Sequence, residues 1–459
     1  MVFSSLIFVF GFLPPVLILS FLFRRWINIQ NAILFFASLL FYMWGELEYI
    51  WLFILTILLN WLLTLIAGQN KNILLRRIIG TAAIVFDILI LFWFKYAGWI
   101  GNAFGCSIGS AILPIGISFY IFQAVSYVAD VTLLDKYKAE KNPVNVGFYI
   151  AFFPQLIAGP IVRYKEIKEQ IRDRRMTIDL FEEGCFRFIF GFCKKVLLAD
   201  SMAVIVNKAF SAETKLTFSF AWLGAVAYTF QIFMDFSGYS DMAIGLGAMF
   251  GFKIPENFDN PYKAQSIRDF WRRWHITLSV WFRDYVYIPL GGNRTGRWRT
   301  IFNIAVVWLL TGFWHGANLT FVLWGMIYGC LVLLEKALNI DEKVKKVFRG
   351  GVAWKIIYRL FTLLSIMFLW VLFRSESLSS AINYIQQMFY FEMIYIDETI
   401  LYLSEFRWAM LVCVALIIIS DKTIIKKRVI FWPGMLVLFI VSISYLVKGT
   451  FSPFLYFNF

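Results

Sequence analysis

Apolar runs of roughly 20 residues, the length a helix needs to cross the hydrocarbon core of a bilayer, recur from one end of this chain to the other. They are Val2 to Phe23, Ile27 to Trp44, Tyr49 to Ala67, Ile78 to Tyr96, Ile112 to Val131, Phe218 to Phe236, Ile301 to Phe313, Ala317 to Leu334, Trp354 to Phe373, Phe406 to Ile419 and Ile430 to Val447. A segment in lipid must satisfy its own backbone groups, so these runs predict helices, about ten to twelve crossings in all. Of the 459 residues 60% are apolar and 16% charged, and no stretch is polar enough to stand as a separate water-facing domain. A soluble enzyme, a disordered chain and a disulfide scaffold are thereby excluded. The expectation is an all-α polytopic membrane protein with one transmembrane domain over residues 1–459.

Lys and Arg outnumber Asp and Glu by 43 to 29, a net charge of +14. The basic residues fall in short clusters between apolar runs. That pattern orients membrane helices and meets anionic headgroups, and it argues against a nucleic-acid partner. No Lys or Arg precedes the first run and Arg24 and Arg25 follow it, so the N-terminus reads as outside. Lacking a basic leader and a cleavage site, that run reads as a retained span. Gly147 to Val162 differs: it is short, broken by Pro154 and Pro160, and basic on both flanks, which predicts a re-entrant element enclosed by protein or a cavity. The five cysteines (Cys106, Cys185, Cys193, Cys330 and Cys413) lie singly, without disulfide or zinc spacing. Neither a repeat nor the inverted halves of many transporters are visible.

Only two histidines occur, His275 and His315, both within aromatic sequence. Histidine is the side chain suited to exchanging a proton near neutral pH, and ionisable groups at membrane depth usually face a cavity. His315 lies in WLLTGFWHGANLTFVLWG, where Gly312 with Gly316 and Gly325 with Gly329 have the spacing that lets helix backbones approach closely. Asn318 is one turn on, placed to orient the ring. Either the imidazole is a base held between helices or it is packed with one hydrogen bond to a carbonyl. His275 lies in SIRDFWRRWHITLSVWFRDYVYIPLGG, an aromatic stripe with Arg268, Arg272, Arg273 and Arg283 mostly off it. An interfacial helix has this character, and Asp269 is spaced to pair with Arg273. The alternative is that the arginines meet an anionic ligand while His275 points inward. Asp235, Ser237 and Asp241 form a polar island, but no GxSxG elbow surrounds Ser237, so cavity lining or helix breaking is preferred to a hydrolase triad.

Five stretches carry a resemblance: LPIGISFYIFQAVSYVADV (Leu113 to Val131), FFPQLIAGPIVRY (Phe152 to Tyr164), FQIFMDFSGYSDMAIGLGAMFGFKIPENFDNPY (Phe230 to Tyr262), FWRRWHITLSVWFRDYVYIPLGGNR (Phe270 to Arg294) and TGFWHGANLTFVLWG (Thr311 to Gly325), with a closing FLYFNF. Together they resemble the membrane-bound O-acyltransferases, most closely the alginate O-acetylation branch. The resemblance implies a ring of tilted helices around a central tunnel, with re-entrant and interfacial helices. It also implies transfer of an acyl group from a cytoplasmic thioester, acetyl-CoA or another, towards hydroxyls of a polysaccharide outside a bacterial cytoplasmic membrane. The family's catalytic histidine maps onto His315 and its second polar position onto His275. Asn318 or His275 would position the base or polarise the carbonyl. Arg268, Arg272, Arg273 and Arg283, with Lys194 and Lys195, would hold donor phosphates. Neither a metal nor a resident cofactor is implied. The implied partners are the lipid bilayer, an extracytoplasmic SGNH-type acetyltransferase and an acyl carrier protein. Where the branch often carries a further histidine, this chain has Tyr328. Competing readings are D-alanyl transfer to teichoic acid from a carrier protein and, in a different class, a solute transporter using Asp235 and Asp241.

Overall fold

A computed structural model describes residues 2–105, 113–294, 296–340, 352–391, 397–449 and 454–455. Cys106 and most of the closing FLYFNF lie outside them. Every regular element among the described residues is helical. Among the described residues seven helices are long and apolar enough to cross a membrane, and the apolar runs read from the sequence lie mainly in helices. The helices form two compact units, the first comprising Met1–Phe190 and Tyr239–Glu256 and the second Gly191–Gly238 and Asn257–Phe459.

The first unit contains α1 (Leu13–Leu22), α2 (Ile27–Gly45), α3 (Ile50–Gln69), α4 (Ile73–Ala103), α5 (Ile117–Val128), α6 (Pro143–Ala151), α7 (Tyr164–Arg172) and most of α8 (Ile178–Cys193). The interrupted segment behaves as its prolines require. α6 stops at Phe152, whose backbone leaves the helical region, and one further turn spans Phe153–Leu156 before the chain runs on irregularly to Arg163. The freed backbone groups find partners: Phe153 N–H donates to Ser38 Oγ at 3.1 Å and the Tyr149 hydroxyl donates to Val162 O at 3.0 Å. Residues 148–162 are all buried. Protein surrounds this irregular backbone, as the membrane interior demands.

The second unit contains α9 (Asp200–Ala209), the start of α10 (Phe218–Met249), two short helices α11 (Ile267–Arg273) and α12 (Ile276–Phe282), and then α13 (Arg297–His315), α14 (Leu319–Ala337), α15 (Val352–Arg374), α16 (Leu378–Gln387), α17 (Asp397–Ile418) and α18 (Arg428–Val447). α13 and α14 form a tight antiparallel hairpin. A Cβ placed on Gly312 would lie 2.6 Å from the Phe321 carbonyl oxygen, and one on Gly325 would lie 2.5 Å from that of Trp308. Glycine at both positions is what lets the backbones touch. Sidedness follows from charge. Arg294, Arg297 and Arg299 precede and open α13, and Lys336 lies in the last turn of α14. That basic side reads as cytoplasmic, which puts the α13–α14 junction and the C-terminal end of α15 at the opposite face.

Candidate active site

His315 is the last residue of α13, followed by an extended Gly316 that turns the chain into α14. The imidazole is 5% exposed. Three aromatic rings stand nearly edge-on around it: Trp314 at 4.8 Å between centroids, Trp324 at 5.1 Å and Phe373 at 5.1 Å. These come from α13, α14 and α15, so the box exists only when the three helices are assembled.

His275 is held by an unusual backbone. It sits between α11 and α12 with φ +43°, the left-handed region that costs a residue with a Cβ about 1–3 kcal/mol. Asn257 supplies the constraint. Its carbonyl oxygen accepts from Ile276 N–H at 2.9 Å, while its side-chain Oδ1 accepts from Thr277 N–H at 3.3 Å and from the Thr277 hydroxyl at 2.8 Å. His275 Nδ1 lies 3.1 Å from the same oxygen. The Thr277 amide can only donate, which identifies the Asn257 atom as the oxygen, so Nδ1 carries the proton and Nε2 the lone pair. His275 lies outside the spanning helices, and burial pushes its pKa down to about 3, which keeps the ring neutral. Phe236 packs edge-on at 4.8 Å. The Trp314 ring lies 5.8 Å from His275 and 4.8 Å from His315. One indole thus stands between the two imidazoles.

Asn318 caps α14: its Oδ1 accepts from Thr320 N–H at 3.0 Å and its Nδ2 donates to the Glu376 carbonyl at 2.8 Å. The amide therefore ties the start of α14 to the chain just after α15, three residues from His315. The four arginines divide by what they face. Arg268 and Arg272, one turn apart on α11, line a cleft of about 240 Å³ with Trp271, Phe282 and Trp308. Arg273 pairs with Asp269 at 3.0 Å and Arg283 with its neighbour Asp284 at 2.8 Å. The cleft is linked to His315 by aromatic rings in edge-on contact. Trp271 lies 4.8 Å from Trp308, 5.0 Å from Tyr328 and 5.7 Å from Trp324, and Trp324 touches the His315 ring. Tyr328 is fully buried among these rings.

Lys194 and Lys195 are buried in ion pairs, Lys194 with Asp421 at 2.8 Å and Lys195 with Asp200 at 2.6 Å and Asp235 at 2.9 Å. The polar island resolves in the same way. Asp235 also accepts from Leu455 N–H at 2.9 Å, the Ser237 hydroxyl donates to Phe233 O at 2.5 Å, and Asp241 pairs with Arg187. Each member is engaged in structure, and none forms a hydrolase triad. Asn257 and the ring-holding Trp324 and Phe373 were not singled out from the sequence; the polar Asn257 within the NFDN stretch was the available signal for the first.

A family model described as MBOAT, membrane-bound O-acyltransferase family, matches residues 39–369. A protein described as a probable alginate O-acetylase, AlgI, from Pseudomonas putida is 43% identical over 405 residues, covering 85% of this chain and 81% of that one. The peptidoglycan O-acetyltransferase of Helicobacter pylori is 33% identical over 429 residues, covering 84% and 80%. The teichoic acid D-alanyltransferase of Streptococcus thermophilus is 31% identical over 250 residues, covering 50% and 60%.

Proposed function

This chain belongs to the membrane-bound O-acyltransferase family, and on that premise we propose that it moves an acetyl group from a cytoplasmic thioester towards hydroxyls of a cell-surface polysaccharide. It is a multi-pass membrane enzyme of the O-acyltransferase class. The observation that carries the reading is the pair of buried imidazoles flanking Trp314, with an arginine-lined cleft joined to them by rings. His315 serves as the general base that takes the proton of the attacking hydroxyl; as the new ester C–O bond forms the thioester C–S bond breaks, and the proton goes to the departing thiolate. General-base action of this kind contributes roughly 10²- to 10⁴-fold in rate. His275, fixed as a neutral ring by Asn257, positions the reacting groups, and Asn318 holds the start of α14 against the chain beyond α15.

The donor is acetyl-CoA or another acyl thioester. Arg268 and Arg272 fit its phosphates, because two guanidiniums over the apolar floor of Trp271 and Phe282 offer paired donors to an anion at the basic, cytoplasmic end of the unit. The acetyl group passes outward to an SGNH-type partner at the far face of a bacterial cytoplasmic membrane. Similarity to O-acetylases over 84–85% of the chain, against 50% for the D-alanyltransferase, supports acetyl as the group moved. Replacing His315 by Ala in protein that remains folded abolishes surface O-acetylation; acetylation persisting at the wild-type level overturns the assignment. Mass analysis of the transferred group separates acetyl from D-alanyl.

A further inference from the structure

We propose that a second cleft, at the extracytoplasmic end of the second unit, binds an anionic carbohydrate chain. The cleft has a volume of about 760 Å³ and is formed by the turn after α9 together with the end of α15 and one face of α16. Its size lies in the range of ligand sites, roughly 300–1,000 Å³.

Its lining mixes polar side chains with apolar ones, Ala209, Ala212 and Leu216 among them. Ser380, Asn383 and Gln387 follow helical spacing along one side of α16, while the adjoining Ala381 and Tyr384 are buried against the protein. The floor is an aromatic pair, Phe210 and Tyr384, stacked at 4.3 Å and pinned by a Tyr384 hydroxyl that donates to Ala221 O at 2.9 Å. Lys215 and Arg374 contribute two positive charges against the single carboxylate of Glu376. Arg374 lies 5.7 Å over the Phe210 ring. Hydroxyls and amides in this number, beside an aromatic floor and with a positive excess, fit a hydroxylated, acid-bearing ligand.

The position links the cleft to transfer. Arg374 follows Phe373, whose ring touches His315 at 5.1 Å, and Glu376 O accepts the Asn318 amide at 2.8 Å. The two clefts are thus linked to the same histidine through ring contacts, the first by Trp271 and Trp324 and this one by Phe373, the neighbour of Arg374. The proposal rests on the acyl-transfer reading for its part in the reaction, but binding is measurable apart from transfer.

The test uses the full chain in lipid nanodiscs and a defined uronate hexasaccharide as probe. The expected result is saturable binding that the triple variant Lys215→Gln, Asn383→Ala, Gln387→Ala weakens roughly tenfold or more. His315→Ala should keep wild-type binding while losing transfer, and a neutral glucose hexasaccharide should bind at least roughly tenfold more weakly than the uronate. The three positions are exposed or half-buried, and an unchanged Tm establishes that the variant is folded; a lowered one calls for the single variant Asn383→Ala, held to the same criterion. Wild-type affinity in the folded variant, equal binding of the neutral oligosaccharide, no uronate binding at all, or displacement of the uronate by phosphatidylglycerol headgroups each overturns the proposal. Full transfer by His315→Ala would instead refute the assigned base and leave the cleft standing.

Discussion

Asn257 is the residue whose removal tests the site most sharply, because one side-chain oxygen serves three groups. Asn257→Ala withdraws the acceptor from the Thr277 amide, the Thr277 hydroxyl and His275 Nδ1, all buried. The hydroxyl can rotate towards another acceptor, whereas the amide and the ring nitrogen cannot. Two stranded donors at about 1–3 kcal/mol each give a loss of roughly 2–6 kcal/mol. The left-handed turn at His275 stores about 1–3 kcal/mol more, which the segment releases by shifting the imidazole once Asn257 no longer holds it. Thermal unfolding in detergent reads the first effect. Transfer by the folded fraction reads the second, and a positional loss of about 1–3 kcal/mol predicts roughly 5- to 150-fold slower turnover. Asn257→Asp separates the causes: it keeps the acceptor for Thr277, restores much of the stability, and stabilises the charged imidazolium. The His275 pKa then rises from about 3, so activity of this variant falls on acidification at a higher pH than in the wild type. Wild-type stability and turnover in Asn257→Ala would refute the reasoning, as would identical pH profiles for wild type and Asn257→Asp.

Other outcomes follow from the same geometry. The folded pKa of His275 lies below the ordinary value of about 6.5, so the unfolded chain binds the extra proton and stability falls as pH drops through 6.5 towards 3. From pH 7 to pH 5 this amounts to about 2 kcal/mol, read as a difference in Tm shift between wild type and His275→Gln. Gly312→Ala forces a methyl against the Phe321 carbonyl and costs about 1–3 kcal/mol, measured as a lowered Tm. Arg268→Gln combined with Arg272→Gln raises the donor KM roughly tenfold with little change in kcat, whereas Arg283→Gln, at the exposed Asp284 pair, leaves the KM unchanged.

The spans were legible because a run of about 20 apolar residues has one stable solution in lipid, a helix. The broken segment was legible because Pro154 cannot continue α6. The close approach of α13 and α14 could be read from Gly312 and Gly325, whose missing side chains have no other use at that spacing. What the sequence hid was partnership across distance. Lys194 and Lys195 looked like phosphate holders, yet their charges are met by acids contributed from α9, α10 and α18's flank. The four arginines looked equivalent until the helix turned two of them into a cleft and two into local ion pairs. Nothing in the RRWH stretch announced a left-handed histidine, because the hold on it comes from Asn257, on a different piece of chain.

The glycine contacts of the α13–α14 hairpin fix how this enzyme can breathe. With carbonyl oxygens pressed into the space where side chains would be, neither helix can slide or roll past the other without collision, so His315, Phe321 and Trp324 travel as one rigid plate. The two-turn helices carrying Arg272 and Trp281, by contrast, meet without such a glycine contact, at a single torsionally loaded joint, His275.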